Sequence, residues 1–221
     1  MGGNGNQAGG LVNRGVVVLR PDAGRIGSGG RTFIVTGPYR SGTSLVAAML
    51  RHVGIFMGTD INDIVHEDEA FAAVIEGRDR GGLRRLIADR NATYGTWGFK
   101  LPMLCRWLAP ADLAAFNNPH IIITFRDAVA ISQRATLSEY EDPLAALRLA
   151  SDDLAAMAGF VAQLACPTLL VSYEKSLVFP AEFVNAIVQF CGLPPNGALR
   201  AQLAGLIEPN RGSYIAGARR R

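Results

Sequence analysis

The residues best placed to do chemistry form one run, Gly37-Pro38-Tyr39-Arg40-Ser41-Gly42-Thr43-Ser44. It follows a short β-rich stretch, Thr32–Thr36, and precedes Ser44–Val53, where apolar residues recur at helical spacing. Between a strand and a helix, such a run lets backbone N–H groups and the positive helix end converge on an anion. The spacing nearly matches the Walker A pattern GxxxxGK[ST], but Thr43 stands where the lysine belongs. A loop that handles the β- and γ-phosphates of a nucleoside triphosphate uses that lysine, with the next hydroxyl on Mg²⁺. Here the cation is Arg40, inside the loop. The chain has only two lysines, Lys100 and Lys175, among its 22 basic residues, and neither lies in the loop.

Other candidates are spread along the chain. Ile121–Phe125 is a buried-strand pattern that ends in Arg126-Asp127. It imitates a Walker B strand, except that an arginine precedes the acid. Arg126 reads either as an anion ligand or as a strand-end arginine paired with Asp127. His66-Glu67-Asp68-Glu69 is a polar cluster beyond the first helix, and its acids also suit a helix N-terminus, where each stabilises by ~0.3–1 kcal/mol. Lys100 closes another short strand pattern, Trp97–Lys100. His52 reads as a core or surface residue, and Trp97 and Trp107 as core residues or acceptor platforms. The sequence contains no HExxH, EF-hand loop or GxGxxG element.

These residues need a scaffold that brings distant loops together. Strand patterns at Thr32–Thr36, Trp97–Lys100, Ile121–Phe125 and Thr168–Tyr173 are short and continuously apolar, as strands buried on both faces are. Helical patterns lie between them at Glu67–Glu76, Leu83–Arg90, Ala111–Asn117 and Asp142 to about Leu164, with Pro180–Cys191 after the last strand. The alternation predicts an α/β fold of three layers with a mostly parallel central sheet, of the P-loop NTPase type. Residues 1–30 hold ten of the 25 glycines and read as a flexible leader in which Val16–Leu19 is a candidate edge strand. The folded domain is placed at 31–215 and a basic tail at 216–221.

Composition narrows the class. At 221 residues with 49% hydrophobic content, the chain is one domain with a sizeable core. Its longest apolar runs fall far short of the ~20 residues that cross a bilayer. A net charge of +3 is too small to argue for a nucleic-acid partner. Cys105, Cys166 and Cys191 are odd in number and widely spaced, which reads as buried free thiols in a reducing, cytoplasmic setting and gives no metal site.

Arg40-Ser41-Gly42-Thr43-Ser44 resembles the 5′-phosphosulfate loop of sulfotransferases that use 3′-phosphoadenosine 5′-phosphosulfate (PAPS). In that family a Lys or Arg precedes Ser-Gly-Thr and no metal is required. The strand ending in Arg126 resembles the family's second element, whose arginine holds the 3′-phosphate. The serine expected about eight residues further on is replaced by Arg134, and the nearest serine is Ser132. Weaker likenesses follow in order: Trp97–Pro102 with Lys100, Tyr173-Glu174-Lys175, Phe190–Leu193, and Arg211-Gly212, where the family places a mobile loop over the 3′-phosphate. The resemblance covers residues 32 to about 215.

It implies direct in-line transfer of a sulfuryl group from PAPS to a hydroxyl or amine of a small-molecule or carbohydrate acceptor, leaving adenosine 3′,5′-bisphosphate (PAP). Glu67, with His66 next, is implied as the base, and Lys100 as the group that stabilises the bridging oxygen. The alternatives are a P-loop small-molecule kinase using Mg-ATP, which the missing lysine disfavours, and a non-catalytic nucleotide-binding module.

Overall fold

In the computed structural model the described residues are 13–21, 30–59, 61, 65–137, 142–194 and 196–207. Five strands form one sheet: β1 (Val16–Leu19), β2 (Arg31–Thr36), β3 (Thr96–Lys100), β4 (Pro119–Phe125) and β5 (Thr168–Ser172), in the order β1-β5-β4-β2-β3. The last four strands run parallel, and β1 pairs antiparallel with β5. Val16–Leu19 is thus an edge strand, anchored further by the Ser172 N–H to the Gly15 carbonyl at 2.7 Å.

Among the described residues eight α-helices accompany the sheet: α1 (Thr43–His52), α2 (Glu69–Glu76), α3 (Arg80–Thr93), α4 (Ala128–Thr136), α5 (Pro143–Gln163), α6 (Tyr173–Val178), α7 (Pro180–Phe190) and α8 (Gly197–Gly205). On one face of the sheet, Val46, Met49 and Leu50 of α1 pack with Phe183 and Ile187 of α7 and Leu203 of α8. The strands contribute Phe33, Val35, Ile122 and Leu169 to that layer. On the opposite face, Phe71 and Ile75 of α2, Ile87 of α3 and Met157 of α5 pack with Ile34, Phe99, Ile121 and Ile123. Alternate residues of β2 and β4 serve opposite layers, which is why their patterns are continuously apolar.

The expected three-layer, mostly parallel α/β architecture is the one observed, with several boundary changes. The helix expected from Glu67 begins at Glu69, because the Asp68 carboxylate accepts the Ala70 N–H and caps it. Glu67 therefore lies outside the helix. Ala111–Asn117 is a 3-10 segment, Pro110–Ala115, whose start is fixed by Asp112 accepting the Ala109 N–H. The last strand stops at Ser172, which caps α6 through the Lys175 N–H, so Tyr173 opens a helix. Asp142 caps α5 as its position before Pro143 predicts. No helix among the described residues is long and apolar enough to cross a membrane.

The three thiols are free, with Cys191 buried and the other two half-buried. Burial pushes the Cys191 thiol up to about 12, against a smaller opposing pull from Arg31. At pH 8 its thiolate fraction is then on the order of one in 10⁴. Timed iodoacetamide alkylation of the folded protein should modify Cys105 and Cys166 well before Cys191. Phe71 stacks on Phe99 at 4.2 Å between ring centres and has no exposed surface. Phe71→Ala should lower stability in urea by about 3–5 kcal/mol.

Candidate active site

β2 lies between β3 and β4, so the chain leaves it toward β3 and returns across it to β4. That reversal is a topological switch point, and in open parallel sheets ligands bind outside the carboxyl ends of the strands there. The candidate residues emerge at this edge. The loop Gly37–Gly42 follows β2, Lys100 ends β3, Arg126 follows β4 and Tyr173 follows β5.

The loop is tightly held from below. Ser41 and Thr124 hydroxyls hydrogen-bond at 2.8 Å, with Ser41 fully buried. Gly37 passes so close to β4 that a Cβ there would lie 2.4 Å from the Thr124 carbonyl oxygen. The Gly37 carbonyl accepts the Met103 N–H at 2.9 Å, joining the loop to the segment after β3. Arg40 takes a left-handed backbone, φ 62, and Gly42 another, φ 97, as the N-cap of α1. Between them the Ser41 N–H closes a tight turn onto the Pro38 carbonyl at 3.2 Å.

No side chain caps α1. By contrast Asp68, Asp79, Asp127, Asp142, Ser172 and Asn196 cap α2, α3, α4, α5, α6 and α8. α7 also lacks a side-chain cap but starts with Pro180, which has no N–H to satisfy. In the first turn of α1 the Leu45 N–H donates to the Gly42 carbonyl at 3.1 Å, while the N–H groups of Thr43 and Ser44 come before the first intrahelical acceptor. Thr43 and Ser44, which open that turn, are otherwise buried. The donor set, uncapped amides with Arg40 beside them, suits a phosphate or sulfate oxygen.

Arg126 crosses from β4 to this loop. Its Nη1 donates to the Arg40 carbonyl at 3.1 Å, its guanidinium sits 4.8 Å from the Tyr173 ring centre, and Nε lies 3.5 Å from Glu174 Oε1. The Tyr173 ring also covers Gly42, where a Cβ would fall 2.3 Å from ring carbon Cδ2. Arg126 therefore pairs with Glu174 as well as facing the loop. The Asp127 carboxylate is committed to the α4 cap through the Ala130 N–H.

A third group meets α1 from the other side. Lys100 Nζ donates to Glu67 Oε1 at 2.6 Å and to the Val65 carbonyl at 3.0 Å. Ser44 Oγ donates to the same carbonyl at 2.9 Å. Lys100, Glu67 and Ser44 are thus gathered around one backbone oxygen, with Lys100 2% exposed and Glu67 21%.

The remaining expected residues are placed less centrally. His66, at φ 57, meets Arg51 Nη1 through Nδ1 at 3.0 Å, one residue from Glu67 but directed to the later turns of α1. Ser132 is buried and its hydroxyl donates to Val129 in its own helix. Arg134 is half-buried on α4. Arg211 and Gly212 lie outside the described residues. Trp97 is core, its Nε1 donating to Asn91, while His52 is exposed on α1.

Tyr39, within the loop, lies in electrostatic reach of Arg106 and Asp153. Burial pushes the Tyr39 hydroxyl up, Arg106 opposes that, and Glu76, Glu67 and Asp153 add to it. Arg106 is ion-paired with Asp153, whose carboxyl is pushed up by burial and pulled back by that guanidinium. A cavity of about 440 Å³ lies elsewhere, lined by Arg51 and Gly54–Thr59 at the C-terminal end of α1. At 1.5 Å rise per residue, the helix separates it from the loop by ~15 Å.

No family model matches the chain, and no curated protein matches it in sequence. Solved structures do match in fold. One is mouse sulfotransferase SULT7A1 complexed with PAP, at TM-score 0.52 and 15% identity, over 80% of this chain and 63% of that one. Another is retinol dehydratase in complex with androsterone and the inactive cofactor PAP, at TM-score 0.52 and 14% identity, over 80% and 64%. This chain spans under two thirds of the length of both. It shares their fold.

The contact between Gly42 and Tyr173 is open to a direct test. Gly42→Ala places a Cβ both in a left-handed backbone and against the Tyr173 ring. It should cost about 1–3 kcal/mol in thermal or urea unfolding. Part of that loss should return in the Gly42→Ala/Tyr173→Ala double variant, showing coupling.

Proposed function

We propose that this chain binds PAPS and transfers its sulfuryl group to a hydroxyl or amine of a small-molecule or carbohydrate acceptor. The observation that carries the reading is the uncapped N-terminus of α1, in a loop whose cation is Arg40 instead of a Walker lysine. The fold shared with PAP-bound sulfotransferases supports it. Arg40, Ser41, Gly42, Thr43 and Ser44 hold the 5′-phosphosulfate. Arg126, with Ser132 or Arg134 and with Arg211 and Gly212, holds the 3′-phosphate. When bound, PAPS supplies an activated sulfuryl group.

The chain's own residues do the rest. The α1 amides and Arg40 oppose negative charge at the loop, where preorganised donors are most effective. Glu67 presents a carboxylate oxygen to the acceptor side and takes the acceptor's proton. Lys100 fixes that carboxylate through the 2.6 Å contact and places a cation beside Ser44, where it offsets charge developing on the leaving oxygen. His66, turned toward Arg51, is the lesser candidate for the base.

Titration calorimetry with PAP and with ATP, each with and without Mg²⁺, checks the nucleotide. PAP should bind without metal and ATP should gain nothing comparable from Mg²⁺; binding of Mg·ATP alone would overturn the sulfuryl-transfer reading. Arg40→Ala should weaken PAP by about 10- to 100-fold, as loss of a charge-assisted contact does. With PAPS and an acceptor panel of phenols, sugars and amines, Glu67→Gln should cut turnover by about 10²- to 10⁴-fold and leave PAP affinity nearly unchanged. If Glu67→Gln turns over normally, the base is elsewhere.

A further inference from the structure

Behind Glu67 lies a buried ion pair that none of the phosphate contacts uses. Arg90 Nη2 and Asp68 Oδ2 are 3.4 Å apart, with 6% and 1% of the side chains exposed. Desolvation makes such a pair a poor source of net stability, so its presence calls for a geometric reason.

Asp68 ties three pieces of chain. Its Oδ1 accepts the Ala70 N–H at 3.0 Å, its backbone bridges to Ile61, and its carboxylate sits where a Gly58 Cβ would come within 2.6 Å. Arg90 holds the same segment from α3. Its Nη2 reaches Thr59 Oγ1 at 3.5 Å, and its guanidinium lies 4.6 Å from the centre of the Phe56 ring, which stacks on Tyr94 at 3.9 Å. Glu67 is the residue next to Asp68. Within four consecutive residues, Val65 is bound to Ser44 and Lys100, Glu67 to Lys100, and Asp68 to Arg90.

We infer that Asp68 and Arg90 are positioning residues that hold Glu67 against Lys100, fixing the carboxylate from behind while the lysine fixes it from in front. The geometry stands on the structure alone; its consequence for proton transfer rests on the sulfuryl-transfer reading. A planar, stacked guanidinium is the suitable partner, because its fork fixes direction as well as charge.

The presence of only two lysines makes this measurable without any acceptor. Acetylation of the folded protein, followed by peptide mass spectrometry, reports Lys100 directly and Lys175 as an internal reference. In Asp68→Asn, which can still cap α2, Lys100 acetylation should rise at least about tenfold relative to Lys175, approaching the level of Glu67→Gln. Arg90→Lys, which keeps the charge and loses the stacked fork, should fall between wild type and Asp68→Asn. Leu203→Ala, in the core layer on the opposite face of the sheet, serves as the control for simple destabilisation and should leave the ratio unchanged.

A folded Asp68→Asn protein whose ratio stays within about twofold of wild type overturns the inference. If Asp68→Asn does not fold, Arg90→Lys is read in its place. Failure of both to fold makes the pair purely structural and also overturns it. PAP calorimetry on the same samples keeps the two claims apart. Wild type that fails to bind PAP sinks the proposed function, while the labelling ratio still decides the role of the pair.

Discussion

The positive end of α1 is the constraint from which the site is built. Six of the other described helices begin at a side-chain cap, four of them aspartates, and a seventh begins with proline. At α1 the cap is Gly42, which offers no side chain. A helix start of this kind, with buried Thr43 and Ser44 and a left-handed Arg40 before it, has the donors and the positive end that suit an anion. The surrounding structure keeps the loop in that form. Ser41 is tied to Thr124, Gly37 is pressed onto β4, and the Tyr173 ring closes over Gly42. Each contact requires the strand neighbours that the parallel sheet supplies.

Two basic side chains then reach the loop from opposite strands beside β2. Arg126 comes from β4 and is held by Glu174 and the Arg40 carbonyl, while Lys100 comes from β3 and is held by Glu67 and the Val65 carbonyl. Neither is a loose surface charge. Fixing them in advance means that little reorganisation is needed when an anion arrives, which is the condition under which such groups assist charge development. The Lys100–Glu67 contact also places the proposed proton acceptor beside the first turn of α1. The Asp68–Arg90 pair extends this arrangement one layer deeper, from the loop into the packing of α2 and α3.

Much of this was legible in the sequence because it is local. A strand, a glycine-containing turn and an amphipathic helix in immediate succession locate Gly37–Ser44, and short apolar runs ending in Lys100 and Arg126 locate the neighbouring strand ends. The alternation of strands and helices gives the three-layer architecture. What stayed hidden is long-range or depends on a cap. Ser41 and Thr124 are 83 positions apart, and Arg126 and Glu174 are 48 apart, so no window of sequence shows either pair. Tyr173 reads as the end of a strand until Ser172 is seen to cap a helix there. Glu67 reads as the first residue of α2 until Asp68 takes the cap, and that shift frees Glu67 to meet Lys100. An Asp followed two residues later by an alanine N–H was the available signal, and two neighbouring acids, Glu67 and Glu69, obscured it.

As an anion site, the uncapped end of α1 would take a nucleotide without any metal. Amide NMR of ¹⁵N-labelled protein titrated with PAP in EDTA reads this residue by residue. The largest shifts are expected at the amides of Ser41, Gly42, Thr43 and Ser44, with the Arg126 side chain moving in step and the amides around Arg51 and Gly54 still. Shifts centred on the Arg51 cavity, or none until Mg²⁺ is added, would contradict it.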